Sequence, residues 1–274
     1  MSPTIATLSP RQTFEDNMRP AQLLLKVYRL LDSNDTIMTE GKLVSAMRGV
    51  LQTTSDEYLL LICNELFLGL VRERAGMAPV VLRQATLCHL LRQAVVASCT
   101  AMETYLPVLL RSNMPVMIQA RGRDFISPGD QDLQPYVGDM TFTLDDVLRL
   151  LADPNAPEFI ANKIISLTDF KYLGGRKGIT VVGRLLGLAK PWEEIAVHLT
   201  RDRRELANVI EETVRRRNDI VHRADRSQDN PAGDPQSITF AWAQQAVDTI
   251  NVVCLALDEL VETKIELVRA MIEA

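Results

Sequence analysis

Apolar positions recur at i, i+3, i+4 and i+7 through almost the whole chain, the spacing that gives a helix one apolar face. Period-two runs of the kind strands need are nearly absent. The pattern therefore predicts an all-α protein. The first twenty residues are polar and read as a frayed end. A helix is expected from about Ala21 to Leu31, with Leu23, Leu24, Val27, Leu30 and Leu31 on one side and Ser33-Asn34-Asp35 as its stop. A second runs from Thr39 to about Leu51. Ser55 opens a third, with Asp56 and Glu57 in the first turn, where the helix dipole favours anions, and Gly76 just past its end.

Ala78-Pro79 is the candidate boundary between a helical extension, residues 1–78, and a helical domain, residues 79–274. A long helix follows from about Val80 to Leu110, its middle small and apolar from Ala94 to Ala101. Residues 113–141 hold Pro115, Pro128 and Pro135 and read as irregular. Thr143 with Asp146 is a capping-box pattern. Short helices are expected over residues 157–166 and 179–188, and from Pro191. Asp202 with Glu205 opens the helix that carries Arg217 and His222, and a polar loop, residues 227–236, ends it. Ser237 caps a final helix to about Glu273, with Ile250, Val253, Leu257, Leu260, Val261 and Leu267 on its apolar side.

Composition narrows the class. The chain has 274 residues, 47% hydrophobic and 24% charged, with a net charge of −5. A chain of that length buries enough surface to fold without disulfides or a structural metal. The four cysteines (Cys63, Cys88, Cys99 and Cys254) form no CxxC pair and have no histidine at ligand spacing, so neither a zinc site nor an oxidised secreted scaffold is expected. The N-terminus lacks the basic-then-apolar order of a signal peptide. The most hydrophobic window, Tyr58 to Val71, is broken by Asn64 and Glu65 and is too short to span a bilayer. The expectation is a cytoplasmic soluble protein with no cofactor, no metal and no membrane partner.

Chemistry concentrates in Arg215-Arg216-Arg217-Asn218-Asp219-Ile220-Val221-His222-Arg223. Leu206, Ile210, Val214, Val221 and Ala224 mark a packed helix face, and Arg217 falls in its gap. A guanidinium there must be paired or must line a polar cleft. Arg217 and His222 lie ~140° apart on a straight helix, whereas Asn218 and His222, four apart, share a face. Arginine offers a planar fork for phosphate oxygens, and histidine exchanges protons near neutral pH. RNA brings its own nucleophile, the 2′-hydroxyl. An arginine and a histidine five apart are more often a structural ion pair and a packed or capping ring. The string around this pair sets it apart.

Arg217-Asn218-Asp219-Ile220-Val221-His222 resembles the RxxxxH motif of HEPN-domain ribonucleases, including the asparagine after the arginine and the Ile-Val before the histidine. Ala101-Met102-Glu103-Thr104-Tyr105-Leu106, late in a long helix, resembles the first HEPN helix of the RiboL-PSP type. The likeness covers about residues 79–274. It implies an up-down helical bundle, a homodimer whose two motifs face one another, and metal-independent cleavage of RNA to 2′,3′-cyclic phosphate and 5′-hydroxyl ends. On that pattern Arg217 holds the scissile phosphate, His222 is general base or acid, Asn218 orients His222 or the phosphate, and Glu103 orients the arginine or the histidine, or makes an ion pair. Arg216 and Arg223 would meet the RNA backbone. The resemblance further implies a toxin or effector of prokaryotic defence, with an antitoxin or other regulatory protein as partner. A non-catalytic helical module that binds RNA or a partner is the alternative, since some members of the family are inactive.

Two other segments were candidates. Residues 201–226 carry eight arginines against six acids, which suits a solvated helix with i,i+4 pairs or a local RNA track. Gly174-Gly175-Arg176-Lys177-Gly178 is glycine-rich and basic. It lacks a preceding strand and a following Lys-Ser/Thr, so a flexible connection outweighs a phosphate cradle.

Overall fold

The computed structural model describes residues 9–32, 84–122, 125, 133, 141–152, 155–166 and 173–273. Every regular element among them is an α-helix: α1 Pro10–Asp32, α2 Gln84–Arg121, α3 Leu144–Ala152, α4 Ala156–Ser166, α5 Gly175–Leu185, α6 Pro191–Leu199, α7 Arg203–Arg223 and α8 Phe240–Glu273. The boundary at residues 78–79 and the helices expected over 39–51 and 55–75 lie outside the described residues.

The first helix begins eleven residues before its expected start, at Pro10 instead of Ala21. Ser9 Oγ accepts from the Gln12 amide (3.1 Å), and Pro10 occupies the first helical position, where its missing N–H costs nothing. The polar look of residues 10–20 hid an apolar stripe of Phe14, Met18, Ala21, Leu25 and Tyr28, none more than 4% exposed. That stripe packs on α2 in the same core as the rest of the bundle. The Phe14 and Tyr105 rings meet at 5.1 Å, and Asn17 Nδ2 donates to Thr104 Oγ1 (3.0 Å). Burying a side chain such as Phe14 contributes about 1.5–3 kcal/mol.

The central element is α2, which touches α1, α4, α5, α7 and α8. It continues through Pro107 and Pro115 to Arg121, so residues 113–121, expected to be irregular, are helical. Each proline forfeits one backbone donor, but Met114, Met117 and Ile118 are buried, and that packing outweighs the local propensity. By length and composition, the segments Leu87–Arg121 and Phe240–Glu273 could each cross a membrane; 56% and 50% of their apolar windows are buried inside the bundle.

At α3 the capping box is present in both directions. The Thr143 amide donates to Asp146 Oδ2 (2.9 Å), and the Asp146 amide donates to Thr143 Oγ1 (3.2 Å). Lys163, 2.8 Å from Asp146 Oδ2, and the Thr143 donors hold that carboxyl down at about 2. The final helix starts at Phe240, with Thr239 Oγ1 and not Ser237 accepting from the Trp242 amide (3.2 Å). Its buried stripe runs through Ile250, Val253, Leu257 and Val261 to Ile265 and Val268. Leu267 is 58% exposed, because six residues past Val261 it has turned ~240° around the cylinder.

Between α2 and α8, the Tyr105 hydroxyl lies 2.9 Å from Asp258 Oδ1 and 3.2 Å from the Cys254 carbonyl. Burial pushes the Asp258 carboxyl above its ordinary range, against the pull of the Tyr105 hydrogen bond. A raised native pKa means the folded state binds the extra proton. The associated stability is present below the unfolded pKa and is lost as pH rises through the folded one. Asp258→Asn keeps an acceptor for Tyr105 without the charge. Its Tm is expected to match wild type near pH 4 and to exceed it at neutral pH; a lower Tm at neutral pH would mean that the carboxylate's bonds outweigh its burial cost.

Candidate functional site

Helix α7 opens cleanly: Asp202 Oδ1 accepts from the Glu205 amide (2.8 Å). Its buried residues are Leu206, Ala207, Ile210, Thr213 and Ile220. Leu206, Ile210, Thr213, Arg217 and Ile220 step by four and three, so Arg217 does lie on the packed stripe. The stripe is rotated by about one residue from the expected face, and Val221 is 51% exposed. The helix ends at Arg223, before the polar loop, because Ala224 (φ 50°) and Asp225 (φ 64°) take the left-handed conformation.

Arg217 reaches across to α2. Its Nη2 donates to Glu103 Oε2, and its Nη1 donates to Asn218 Oδ1 (3.0 Å). The two charged side chains are 20% and 29% exposed, at the edge between core and solvent. Burial raises the Glu103 carboxyl, and the Arg217 guanidinium pulls it back down. A guanidinium has five N–H donors, so the pair leaves several for an incoming oxygen. The start of α5 closes on the same spot: a Cβ on Gly174 would stand 3.0 Å from Glu103 Cγ, and one on Gly175, already at φ +66°, 3.4 Å from Val214. Cys99, one turn before Glu103, is buried and its thiol is pushed up to about 12, so it is neutral and offers no nucleophile here.

Among the expected site residues, Arg217, Asn218 and Glu103 are brought together. His222 stands exposed in the last turn of α7 and, among the described residues, makes no hydrogen bond or ion pair. Asn218 contacts Arg217, not His222. Arg223, also at the surface, pairs with Asp219 (2.6 Å).

Arg216 is held by groups of the protein itself. Expected on the RNA backbone, it is engaged inward: Nε lies 2.5 Å from Asp225 Oδ1, Nη2 donates to the carbonyls of Gln236 (3.2 Å) and Ser237 (3.0 Å), and the guanidinium covers Trp242 at 5.6 Å. Arg92 of α2 meets the same carboxylate, Nε to Asp225 Oδ2 at 2.7 Å, and donates through Nη2 to the Gln236 carbonyl (2.8 Å). Asp225 is fully buried. This network, absent from the sequence expectations, ties the end of α7, and with it His222, to α2 and to the lead-in to α8. Its one sequence signal was Arg92, a charge among Leu90, Leu91, Ala94 and Val95. Compared with known proteins, the chain matches no protein-family model, no curated protein and no solved structure.

Proposed function

We propose that the protein is a metal-independent endoribonuclease of the RxxxxH type, acting in the cytoplasm as a homodimer. The supporting observation is the contrast within α7: Arg217 is fixed at the core edge by Glu103 and Asn218, while His222, about a turn and a half on, is exposed and has no partner among the described residues. One protomer therefore presents a held phosphate-binding fork and a separate proton carrier. Two copies facing across α7 supply two of each, and the half-exposed Val221 beside His222 offers an apolar contact for the second copy.

In this scheme the 2′-hydroxyl attacks the adjacent phosphorus as one His222 accepts its proton. The bond from phosphorus to the 5′-oxygen breaks, and the leaving oxygen takes a proton from the other His222. The products are a 2′,3′-cyclic phosphate and a 5′-hydroxyl, with no water consumed. Arg217 neutralises the charge that grows on the non-bridging oxygens. Glu103 sets its direction. A role as toxin or effector, restrained by an antitoxin or other regulator, accompanies this reading.

A specific observation favours a second reading. Arg217 already has a carboxylate partner, as a structural arginine would, so the helices could form a non-catalytic module that binds RNA or a partner. Arg217→Ala separates the two. The nuclease should lose about 10²–10³-fold in cleavage rate, the usual effect of removing an oxyanion donor. Equal cleavage by wild type and variant would exclude the catalytic role.

A further inference from the structure

We infer that the cavity between α5, α6 and α7 is a second phosphate site, which holds the backbone of single-stranded RNA beside the cleavage position. It rests on RNA as the substrate. The cavity has a volume of about 550 Å³. Arg176 and Lys177, from the first turn of α5, and Arg203 and Arg204, from the first turn of α7, line it, against one carboxylate, Glu211. The first turns of two helices thus place their cations around the same space. Arg203 does meet Glu193 at 3.3 Å, but both side chains are nearly half exposed, and so open a pair yields readily to a phosphate. Trp192 stiffens the wall: its indole N–H lies 3.1 Å from Thr180 Oγ1 and 3.3 Å from the Arg176 carbonyl, which pins α6 to α5.

The cavity neighbours the Arg217 site along the start of α5. Gly174 abuts Glu103, and Arg176, two residues on, lines the cavity. Along α7 the rise from Arg204 to Arg217 is about 20 Å, with the two side chains ~140° apart around the helix, so a strand that joins them wraps α7 and needs more than about six nucleotides at about 3.4 Å each. A chain of net charge −5 repels RNA in general, so binding needs such a local concentration of cations. This gives the basic Gly174–Gly178 segment a function that its lack of a P-loop pattern had hidden.

The test uses a fluorescent 2′-O-methyl RNA of about twelve nucleotides, within the usual site sizes for single strands. It has no free 2′-hydroxyl and cannot be cleaved. Its Kd is measured by anisotropy over a range of salt for wild type and for Arg176→Ala/Arg204→Ala, both exposed positions, with Tm as the folding control. A Kd raised tenfold or more, and a salt slope reduced by about 1.4 for two lost contacts, is expected. Unchanged Kd and slope would overturn the inference, and so would AMP binding as tightly as the oligomer, which would mark a mononucleotide pocket instead. Cleavage of ordinary RNA is assayed in parallel. Cleavage by wild type with unaltered binding by the variant defeats the second site alone. Loss of binding in the variant without any cleavage keeps the second site and defeats the nuclease.

Discussion

Asp225→Ala is expected to destabilise the protein by about 3–5 kcal/mol, the cost of leaving buried charges without their partner. Asp225 is fully buried between Arg92 and Arg216, whose side chains are 7% and 18% exposed. Removing the carboxylate orphans two guanidiniums at once, and neither can swing fully into water while its other donors hold the Gln236 and Ser237 carbonyls. Such a loss is a large share of the 5–15 kcal/mol that keeps a typical domain folded. Arg216→Ala should cost less, because Arg92 still neutralises Asp225. Urea unfolding of the two variants gives the ranking directly. A loss below about 1 kcal/mol for Asp225→Ala would mean that the network is solvated and does not fix the end of α7.

His222→Ala should do the reverse. The side chain is exposed and makes no hydrogen bond among the described residues, so stability should change by no more than about 0.5 kcal/mol. Cleavage should fall by about 10²–10⁴-fold, the range for losing a general acid or base. In a dimer with two histidines the loss belongs at the upper end, since one substitution removes both. Thermal melts and single-turnover cleavage on the same preparation separate the two effects. A His222→Ala protein that cleaves at the wild-type rate would remove the histidine from the mechanism.

These opposite expectations show what the sequence could and could not reveal. The period of the apolar residues was enough for the all-α architecture, and the local cap signals at Thr143, Pro191 and Asp202 placed helix starts correctly, because each depends on residues within one turn. Pro115 misled, since its local penalty is overcome by burial of Met114 and Met117 against elements far away in the chain. Residues 10–20 misled for the opposite reason: Phe14 and Met18 are the only large apolar residues on a polar background, and only packing against α2 and α8 makes them a stripe. At the candidate site, the Arg217–Asn218–His222 spacing was visible as a string. The pairing of Arg217 with Glu103 joins residues 114 positions apart and was available only as one of several roles implied by the resemblance. The Arg92–Asp225–Arg216 network left still less trace, because a buried aspartate in a polar loop looks like any surface aspartate.

Arg217 and His222 are proposed to cleave RNA without a metal. Wild-type protein and His222→Ala should be incubated with RNA in EDTA, and the product ends identified. Cleavage by wild type alone is expected, with 2′,3′-cyclic phosphate and 5′-hydroxyl ends. No cleavage by folded, dimeric wild-type protein, or products ending in 5′-phosphate, would contradict it.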